Sequence, residues 1–212
     1  MAPSALLFTL PGCPHCPGVK RALENLQAEG LIDSLEVVDA AQAADRAQAL
    51  GVRSVPWLRI GPFQFEGALT PEALRRWAQL AADPRQGLRE YFIEMLKTGR
   101  RDKVESLIRE DPRRAEILAA LVLDPEAAMV VRLGIGAVLE EFQGTTLAQS
   151  MVAPLARALP EASARDRIDI AHFLSLIGGT EAAAVLAKLQ DDPDPEVREI
   201  AREALTGQAP PA

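Results

Sequence analysis

Apolar and polar positions alternate between two spacings over the first 80 residues of the chain. The apolar run SALLFTL at residues 4–10 predicts a buried strand, and LEVVDA at residues 35–40 predicts a second strand. Between these runs, apolar side chains recur at the spacing of one helix face: Val19, Ala22, Leu23 and Leu26. The pattern therefore predicts a helix that follows the first strand and ends near Gly30.

The same alternation continues up to residue 80. The alanine-rich residues 41–50 predict a short helix, and PWLRI at residues 56–60 with FQFEG at residues 63–67 predicts a hairpin that turns at Gly61-Pro62. Thr70 is expected to cap a last helix that begins with Pro71. The side chains expected to face inward from it are Leu74, Trp77 and Leu80. The predicted order is β-α-β-α-β-β-α.

Strand patterns disappear after Asp83. Short amphipathic stretches follow, interrupted by glycines and by Asp-Pro pairs, and they predict about eight helices. We therefore predict two domains, an α/β domain at residues 1–82 and an all-α domain at residues 83–212.

The helical half contains a weak internal repeat. DPEAAMVVRLGIGAVL at residues 124–139 resembles DPDPEVREIAREAL at residues 192–205, and RDRIDIAHFLSLIGG ends a third unit between them. The matching arginines Arg132, Arg167 and Arg198 are spaced roughly 31 to 35 residues apart, which favours a helical solenoid. We expect these arginines to donate hydrogen bonds to loop carbonyls between repeats. The acidic cluster Asp191, Asp192 and Asp194 is interpreted as a solvated helix cap.

Composition and charge narrow the class of partner. The net charge of -7 argues against nucleic-acid binding, and most of the negative charge lies on the helical half. No apolar run reaches the ~20 residues needed to span a membrane, and residues 4–10 lack the flanks of a signal peptide. We therefore expect a cytoplasmic protein, and in that compartment a cysteine pair is more often catalytic or metal-binding than structural.

The two cysteines of the chain, Cys13 and Cys16, lie in PGCPHCPG between the first strand and the first helix. A cysteine reacts in thiol exchange as the thiolate, and the free amides of a helix N-terminus stabilise negative charge. Pro14 pre-sets the turn, and a protonated His15 adds a positive charge beside Cys13. A C-x-x-C after a strand in a β-α-β unit is typical of a redox motif, with Cys16 as the more buried, resolving thiol.

Metal binding is the alternative use of these cysteines. A zinc site usually requires four ligands, and the chain offers the two cysteines, His15 and the distant His172. An iron–sulfur cluster shared between two chains would need a second copy. We predict no metal site and no bound cofactor, and we expect His172 to be a surface or interhelix residue beside the apolar stripe of its helix. Trp57 is interpreted as part of the core or of the rim of the hairpin.

Residues 4–80 resemble the thioredoxin superfamily, and among its members the glutaredoxins and other minimal thioredoxin folds. The resemblance rests on the element order, on the C-x-x-C motif and on Val55-Pro56 at the start of a strand about forty residues after Cys13. It implies that Cys13 is the attacking thiolate, that Cys16 is the resolving thiol and that Pro56 is the cis-proline. It also implies that Val55 offers backbone groups to an extended substrate. Glu66-Gly67 replaces the Gly-Gly of glutaredoxins, which leaves the electron donor open.

The helical half resembles HEAT repeats, most clearly at residues 192–205. This resemblance implies a protein-binding surface. Two hypotheses follow: a dithiol–disulfide oxidoreductase whose helical half recognises a protein with a thiol or disulfide, or a HEAT-type adaptor with a redox switch. The intact cysteines and the Val-Pro loop favour the enzyme, and whether the helical half also forms homodimers stays open.

Overall fold

The structure is a computed structural model that describes residues 1–207. Its contacts divide the chain into two compact units, one formed by Met1–Tyr91 and one that begins at Phe92. No helix among residues 1–207 combines the length and the apolar character that a membrane span requires. The predicted fold class is confirmed, because a mixed α/β unit is followed by an all-helical region.

The first unit contains the seven predicted elements in the predicted order. Their bounds are β1 Ser4–Thr9, α1 Cys16–Ala28, β2 Ser34–Asp39, α2 Ala44–Ala49, β3 Trp57–Ile60, β4 Phe63–Glu66 and α3 Pro71–Ala82. The four strands form one sheet in the order β2-β1-β3-β4. Strand β1 is parallel to β2 and antiparallel to β3, and β3 is antiparallel to β4.

Strand β1 lies between β2 and β3, and both of its faces are covered. Ala5, Leu6, Leu7 and Phe8 are all buried, although they point alternately to opposite faces of the sheet. The helices that cover a face bury apolar stripes of the predicted kind, with Val19, Leu23 and Leu26 buried on α1. In the register of β1 with β3, Phe8 lies opposite Trp57. The residues just before β3 are therefore brought to the end of β1.

Helix α3 begins as predicted. The Thr70 hydroxyl accepts a hydrogen bond from the Ala73 amide at 3.2 Å, and Pro71 occupies the first turn. Leu74 and Trp77 are buried, whereas Leu80 is only half-buried. The prediction that Leu80 faces inward is therefore met only in part.

Helix α4, Pro84–Lys97, begins at a cap formed by Asp83. One carboxylate oxygen of Asp83 accepts hydrogen bonds from the amides of Arg85 and Gln86. Gly87 lets α4 approach α3 closely, since a side chain there would overlap the backbone carbonyl of Leu80.

Tyr91, on the same helix, stacks on Phe63 with ring centroids 4.9 Å apart. The first compact unit therefore extends into α4. The domain boundary predicted between residues 82 and 83 stays a prediction.

The remaining elements are helical. They are α5 Arg101–Glu110, α6 Ala115–Val122, α7 Met129–Glu141, α8 Thr146–Gln149, α9 Val152–Ala158, α10 Ala164–Ile177, α11 Gly179–Leu189 and α12 Pro195–Gly207, with short 3-10 turns at Pro112–Arg114 and Leu159–Glu161. Up to residue 207 there are thus nine α-helices from α4 onward, one more than the approximate count predicted from the sequence.

The three matching arginines occupy the same position, the fourth residue, of helices α7, α10 and α12. Arg132 donates to the carbonyl of Asp124 at 3.0 Å, Arg167 to the carbonyl of Ala162 at 3.0 Å, and Arg198 to the carbonyl of Asp192 at 2.7 Å. Each guanidinium therefore binds a carbonyl in the segment before its own helix, which agrees with the expected role in the loops.

Two of these arginines also bind carboxylates in later segments of the helical region. Arg132 donates to Asp169 on α10 at 2.7 Å, and Arg167 forms a two-pronged ion pair with Asp192 at 2.8 and 3.0 Å. Asp192 is only 8% exposed, and the Arg167 guanidinium holds the pKa of its carboxyl below the ordinary value. The interpretation of Asp192 as a solvated cap is therefore wrong, because the guanidinium of Arg167 on α10 covers it. Asp194 does act as a cap and accepts the Glu196 amide at 2.9 Å.

Candidate functional site

The predicted cysteine pair lies in the loop that joins β1 to α1. Cys13 and Cys16 form a disulfide bond. Cys13 is half-buried, whereas Cys16 is only 4% exposed and is the first residue of α1. One sulfur of the bond is therefore more accessible than the other, in the order that the sequence predicts.

Backbone hydrogen bonds hold the more exposed cysteine in place. Gly12 has a φ of +81°, a left-handed conformation that glycine adopts without strain, and it turns the chain directly before Cys13. The Cys13 amide donates to the carbonyl of Leu10 at 3.2 Å. The Cys16 amide donates to the Cys13 sulfur at 3.1 Å. A helix-terminal N–H group thus points at the sulfur on which the thiolate would form.

The other two residues of the motif are at the surface. Pro14 and His15 are both exposed, and His15 is the residue directly before the first turn of α1. The sequence predicts that free amides at the N-terminus of α1 stabilise negative charge on Cys13. Among the hydrogen bonds of residues 1–207, the amide that reaches its sulfur is that of Cys16.

The loop before β3 contains the other predicted site residues. The Val55–Pro56 peptide bond is cis, as the resemblance implies. Val55 is half-buried and Pro56 is buried, and the Pro56 carbonyl accepts the Gly67 amide at 2.9 Å. Because Phe8 pairs with Trp57, continuing this antiparallel register places Val55-Pro56 beside Thr9 and Leu10, at the start of the cysteine loop.

A shallow groove of 330 Å³, which was not predicted from the sequence, lies beside this loop. Leu10 and Val55 form one part of its wall, small side chains of α2 such as Ala44 and Ala47 form another, and Arg53 lies at its rim. Leu10 is 39% exposed there. The available signal was the run of alanines between residues 40 and 49, because small side chains on a helix leave space beside a neighbouring loop.

Trp57 belongs to the core. It is fully buried, and its ring meets Phe8 edge to face at a centroid distance of 5.7 Å. The structure therefore decides between core and rim, the two positions that the sequence left open. The indole Nε1 has no hydrogen-bond partner within the described part of the chain.

Neither of the other candidate ligands joins the cysteines in a metal-binding group. Within residues 1–207, no three histidine, cysteine, aspartate or glutamate side chains are grouped so that they could hold a metal ion. His172 is exposed on α10, next to the buried stripe Ile170, Phe173, Leu174 and Ile177, as predicted.

Comparison with known proteins gives a family match and a similar protein. Residues 5–62 match the glutaredoxin family. The chain is also similar to a thioredoxin of Methanocaldococcus jannaschii, with 41% identity over 71 residues, which is 32% of this chain and 82% of that protein. The glutaredoxin match includes both the cysteine loop and the Val-Pro loop.

Proposed function

The chain belongs to the glutaredoxin and thioredoxin family through its N-terminal unit, and on this premise we propose that it is a dithiol–disulfide oxidoreductase acting on protein substrates. Cys13 is the attacking cysteine and Cys16 the resolving cysteine. The observation that carries the proposal is the unequal exposure of two bonded sulfurs at the N-terminus of α1, with the Cys16 amide on the Cys13 sulfur.

The exposed position of Cys13 suits the first step of thiol–disulfide exchange. In the reduced protein, the Cys13 thiolate attacks one sulfur of a substrate disulfide, so a Cys13–substrate bond forms while the substrate S–S bond breaks. The first substrate thiolate leaves in this step. The Cys16 amide and the dipole of α1 stabilise the negative charge on Cys13 before the attack.

Cys16 completes the exchange from its buried position. Its thiolate attacks the Cys13 sulfur, which closes the Cys13–Cys16 disulfide and releases the second substrate thiolate. Two electrons pass from the protein dithiol to the substrate, and the released thiolates take up protons that the two cysteines lost to solvent. A dithiol reductant returns the protein to its reduced form, and the same steps run backwards when the substrate is the dithiol.

Val55 and the groove beside it support a role in holding an extended substrate. Val55 precedes the cis-proline in a loop next to Leu10, and free backbone groups at such a position can pair with a peptide strand. The apolar wall formed by Leu10 and Val55 suits an apolar residue of the substrate close to its reacting cysteine. Pro14 and His15 lie exposed at the entrance, where they contact the incoming chain.

We further propose that the helical unit is a HEAT-like repeat array that recognises the protein partner. The equivalent positions of Arg132, Arg167 and Arg198 on three helices support a repeat, and the Asp169 and Asp192 carboxylates connect its neighbouring units. A stack of this kind offers one continuous surface for a partner. An adaptor whose disulfide serves as a redox switch is the alternative, and the same repeat supports it.

Trapping experiments test the roles of the two cysteines. Cys16→Ser should accumulate a mixed disulfide between Cys13 and a model disulfide substrate, because no second thiol resolves it. Cys13→Ser should lose exchange activity and trap almost nothing, since the remaining thiol is buried. If Cys16→Ser traps no substrate while Cys13→Ser does, the assignment of the two roles is wrong.

Turnover separates the enzyme from the switch. With an excess of a small aromatic disulfide and an external dithiol reductant, the wild-type chain should complete many cycles. A single stoichiometric reaction would instead favour the adaptor.

Capture by Cys16→Ser in a cell extract tests the role of the helices: the full chain should retain more partners than residues 1–97 with the same substitution.

A further inference from the structure

Helix α7 exposes three large apolar side chains within five residues. Met129, Val130 and Leu133 are 65%, 45% and 67% exposed, while Val131 and Ile135 are buried on the opposite side of the helix. The other large apolar side chains exposed among residues 1–207 occur singly: Met1, Leu10 and Val37. Single exposed apolar residues are ordinary, whereas a group of them indicates contact with another molecule.

A groove of 390 Å³ between α7 and α10 lies next to these side chains. Arg132 contacts Asp169, and four residues further along α7, Gly136 lies against Leu176 of α10. Because the contacts advance together along both helices, α7 and α10 run in the same direction. Gly136 lines this groove without a side chain, one turn from the protruding Leu133, and we call the space beside it the Gly136 hollow. We call Met129, Leu133, Gly136, Glu140 and Arg165 the α7–α10 face.

This face carries opposite charges at its two ends. Arg165 precedes Asp169 by one turn of α10, and Asp169 binds Arg132, so Arg165 lies at the Met129 end. Glu140 lies three turns of α7 beyond Met129, about 16 Å from it along the helix axis at 1.5 Å per residue. Both side chains are exposed, and neither forms an ion pair with another of residues 1–207.

We propose that the α7–α10 face binds a second copy of this chain in an antiparallel, two-fold symmetric dimer. The midpoint of α7 between Met129 and Glu140 is also the midpoint between Leu133 and Gly136. A two-fold axis through that point places Leu133 of each copy over the Gly136 hollow of the other. The same rotation brings Arg165 of each copy to Glu140 of the other.

The α7–α10 face is self-complementary, so a second copy of this chain fits it. A two-fold interface uses the same patch twice, so each feature must be matched by another feature of that patch. On this face the protruding Leu133 matches the Gly136 hollow, and the positive Arg165 matches the negative Glu140. One two-fold rotation brings both pairs together. The dipoles of the two α7 helices are also antiparallel in this arrangement.

Sedimentation velocity of the full-length chain over a range of concentrations tests the dimer. The wild type should dimerise, and Leu133→Asp should be monomeric because it places a charge in the Gly136 hollow twice per dimer. Val37→Asp is the matched control, since Val37 is exposed on β2 of the other unit, and it should dimerise as the wild type does. Circular dichroism and thermal unfolding verify that each variant is folded.

Charge exchange tests the antiparallel register. Arg165→Glu and Glu140→Arg should each weaken the dimer about tenfold, because each replaces two attractive pairs with two repulsive ones. The double variant should recover wild-type dimerisation, since both new charges are present in each copy. A wild-type chain that stays monomeric up to its solubility limit, a dimer unaffected by Leu133→Asp, or a double variant as weak as the single ones overturns the proposal. The thiol assays above do not depend on this outcome.

Discussion

Cys13 and Cys16 differ in exposure although they belong to the same turn of backbone. Cys13 precedes α1 and lies at the rim of the sheet, whereas Cys16 is the first residue of α1, on the side that carries the buried Val19. Their different chemical roles in the proposed exchange follow from this difference in position. The residues between them, Pro14 and His15, are both exposed.

Replacing His15 should lower the reduction potential of the disulfide. A protonated His15 beside Cys13 favours the thiolate, which exists only in the dithiol state, so its loss destabilises that state. We expect His15→Ala to lower the potential by up to about 30 mV, a tenfold change in the exchange equilibrium, measured in a glutathione redox buffer. Lys20→Ala is the control, because Lys20 already pairs with Glu24 at 3.6 Å. If the reduction potential of His15→Ala equals that of the wild type, His15 only separates the two cysteines.

Asp192 should contribute stability that depends on pH. Its pKa is lowered in the folded chain, chiefly by the hydrogen bonds from Arg167, so its contribution is present above the unfolded-state pKa of about 4 and is lost as the pH falls through the folded-state pKa. Asp192→Asn should therefore unfold at a lower temperature than the wild type at pH 7, and the difference should shrink below pH 4. Asp191→Asn, at an exposed neighbour, should show no such difference.

At the scale of elements, the edge strand β4 is completed by a side chain from α4. The amide of Gln64 donates to the Tyr91 hydroxyl at 3.1 Å, and that hydroxyl donates to the Gln64 carbonyl at 2.7 Å. Both backbone groups lie at the edge of the sheet, where no further strand of the sheet pairs with them. Helix α4 therefore covers an edge that would otherwise be open to solvent or to another chain.

The hydroxyl of Tyr91 should stabilise the first unit measurably. Tyr91→Phe keeps the ring stacked on Phe63 and removes both hydrogen bonds to Gln64. We expect a loss of about 1 to 2 kcal/mol in the free energy of unfolding, determined by urea titration. Tyr91→Leu should lose more, because it also removes the aromatic contacts with Phe63, Phe65 and Trp77. Equal losses in both variants would mean that the hydroxyl carries the whole effect.

At the scale of the whole molecule, the chain consists of two units with separate sets of buried side chains. The first is built around the sheet and the aromatic group of Phe63, Phe65, Trp77 and Tyr91. The second is held together by packed helices and by the ion pairs of Arg132 with Asp169 and of Arg167 with Asp192. Helix α4 belongs in part to each, because Tyr91 ends one unit and Phe92 begins the other.

Two fragments test where the first domain ends. Residues 1–82 and residues 1–97 should both fold with a mixed helix–strand circular dichroism spectrum, since both contain all four strands. Residues 1–97 should have the higher melting temperature, because they retain Tyr91 and its hydrogen bonds to the edge strand. If residues 1–82 stay unfolded, the predicted boundary after residue 82 is wrong and α4 is an obligatory part of the domain.

The sequence by itself determined the order of the elements and the position of the cysteine pair. Periodicity, the Thr70 cap and the glycine and proline turns act over a few residues, so strands and helices could be located before their partners were known. The resemblance to the family added the cis peptide bond at Pro56, which the structure contains. The position of Cys16 in the helix that follows β1 predicted the order of exposure of the two cysteines.

Only the tertiary structure decided which side chains are covered and by what. Asp192 is buried because a guanidinium 25 residues earlier in the chain lies over it, and β4 is completed by a tyrosine 27 residues after Gln64. The groove beside Val55 and the exposed face at Leu133 likewise depend on neighbouring elements that no local pattern identifies. Secondary structure follows from interactions between close neighbours in sequence, whereas burial and pairing depend on residues that folding brings together from far apart.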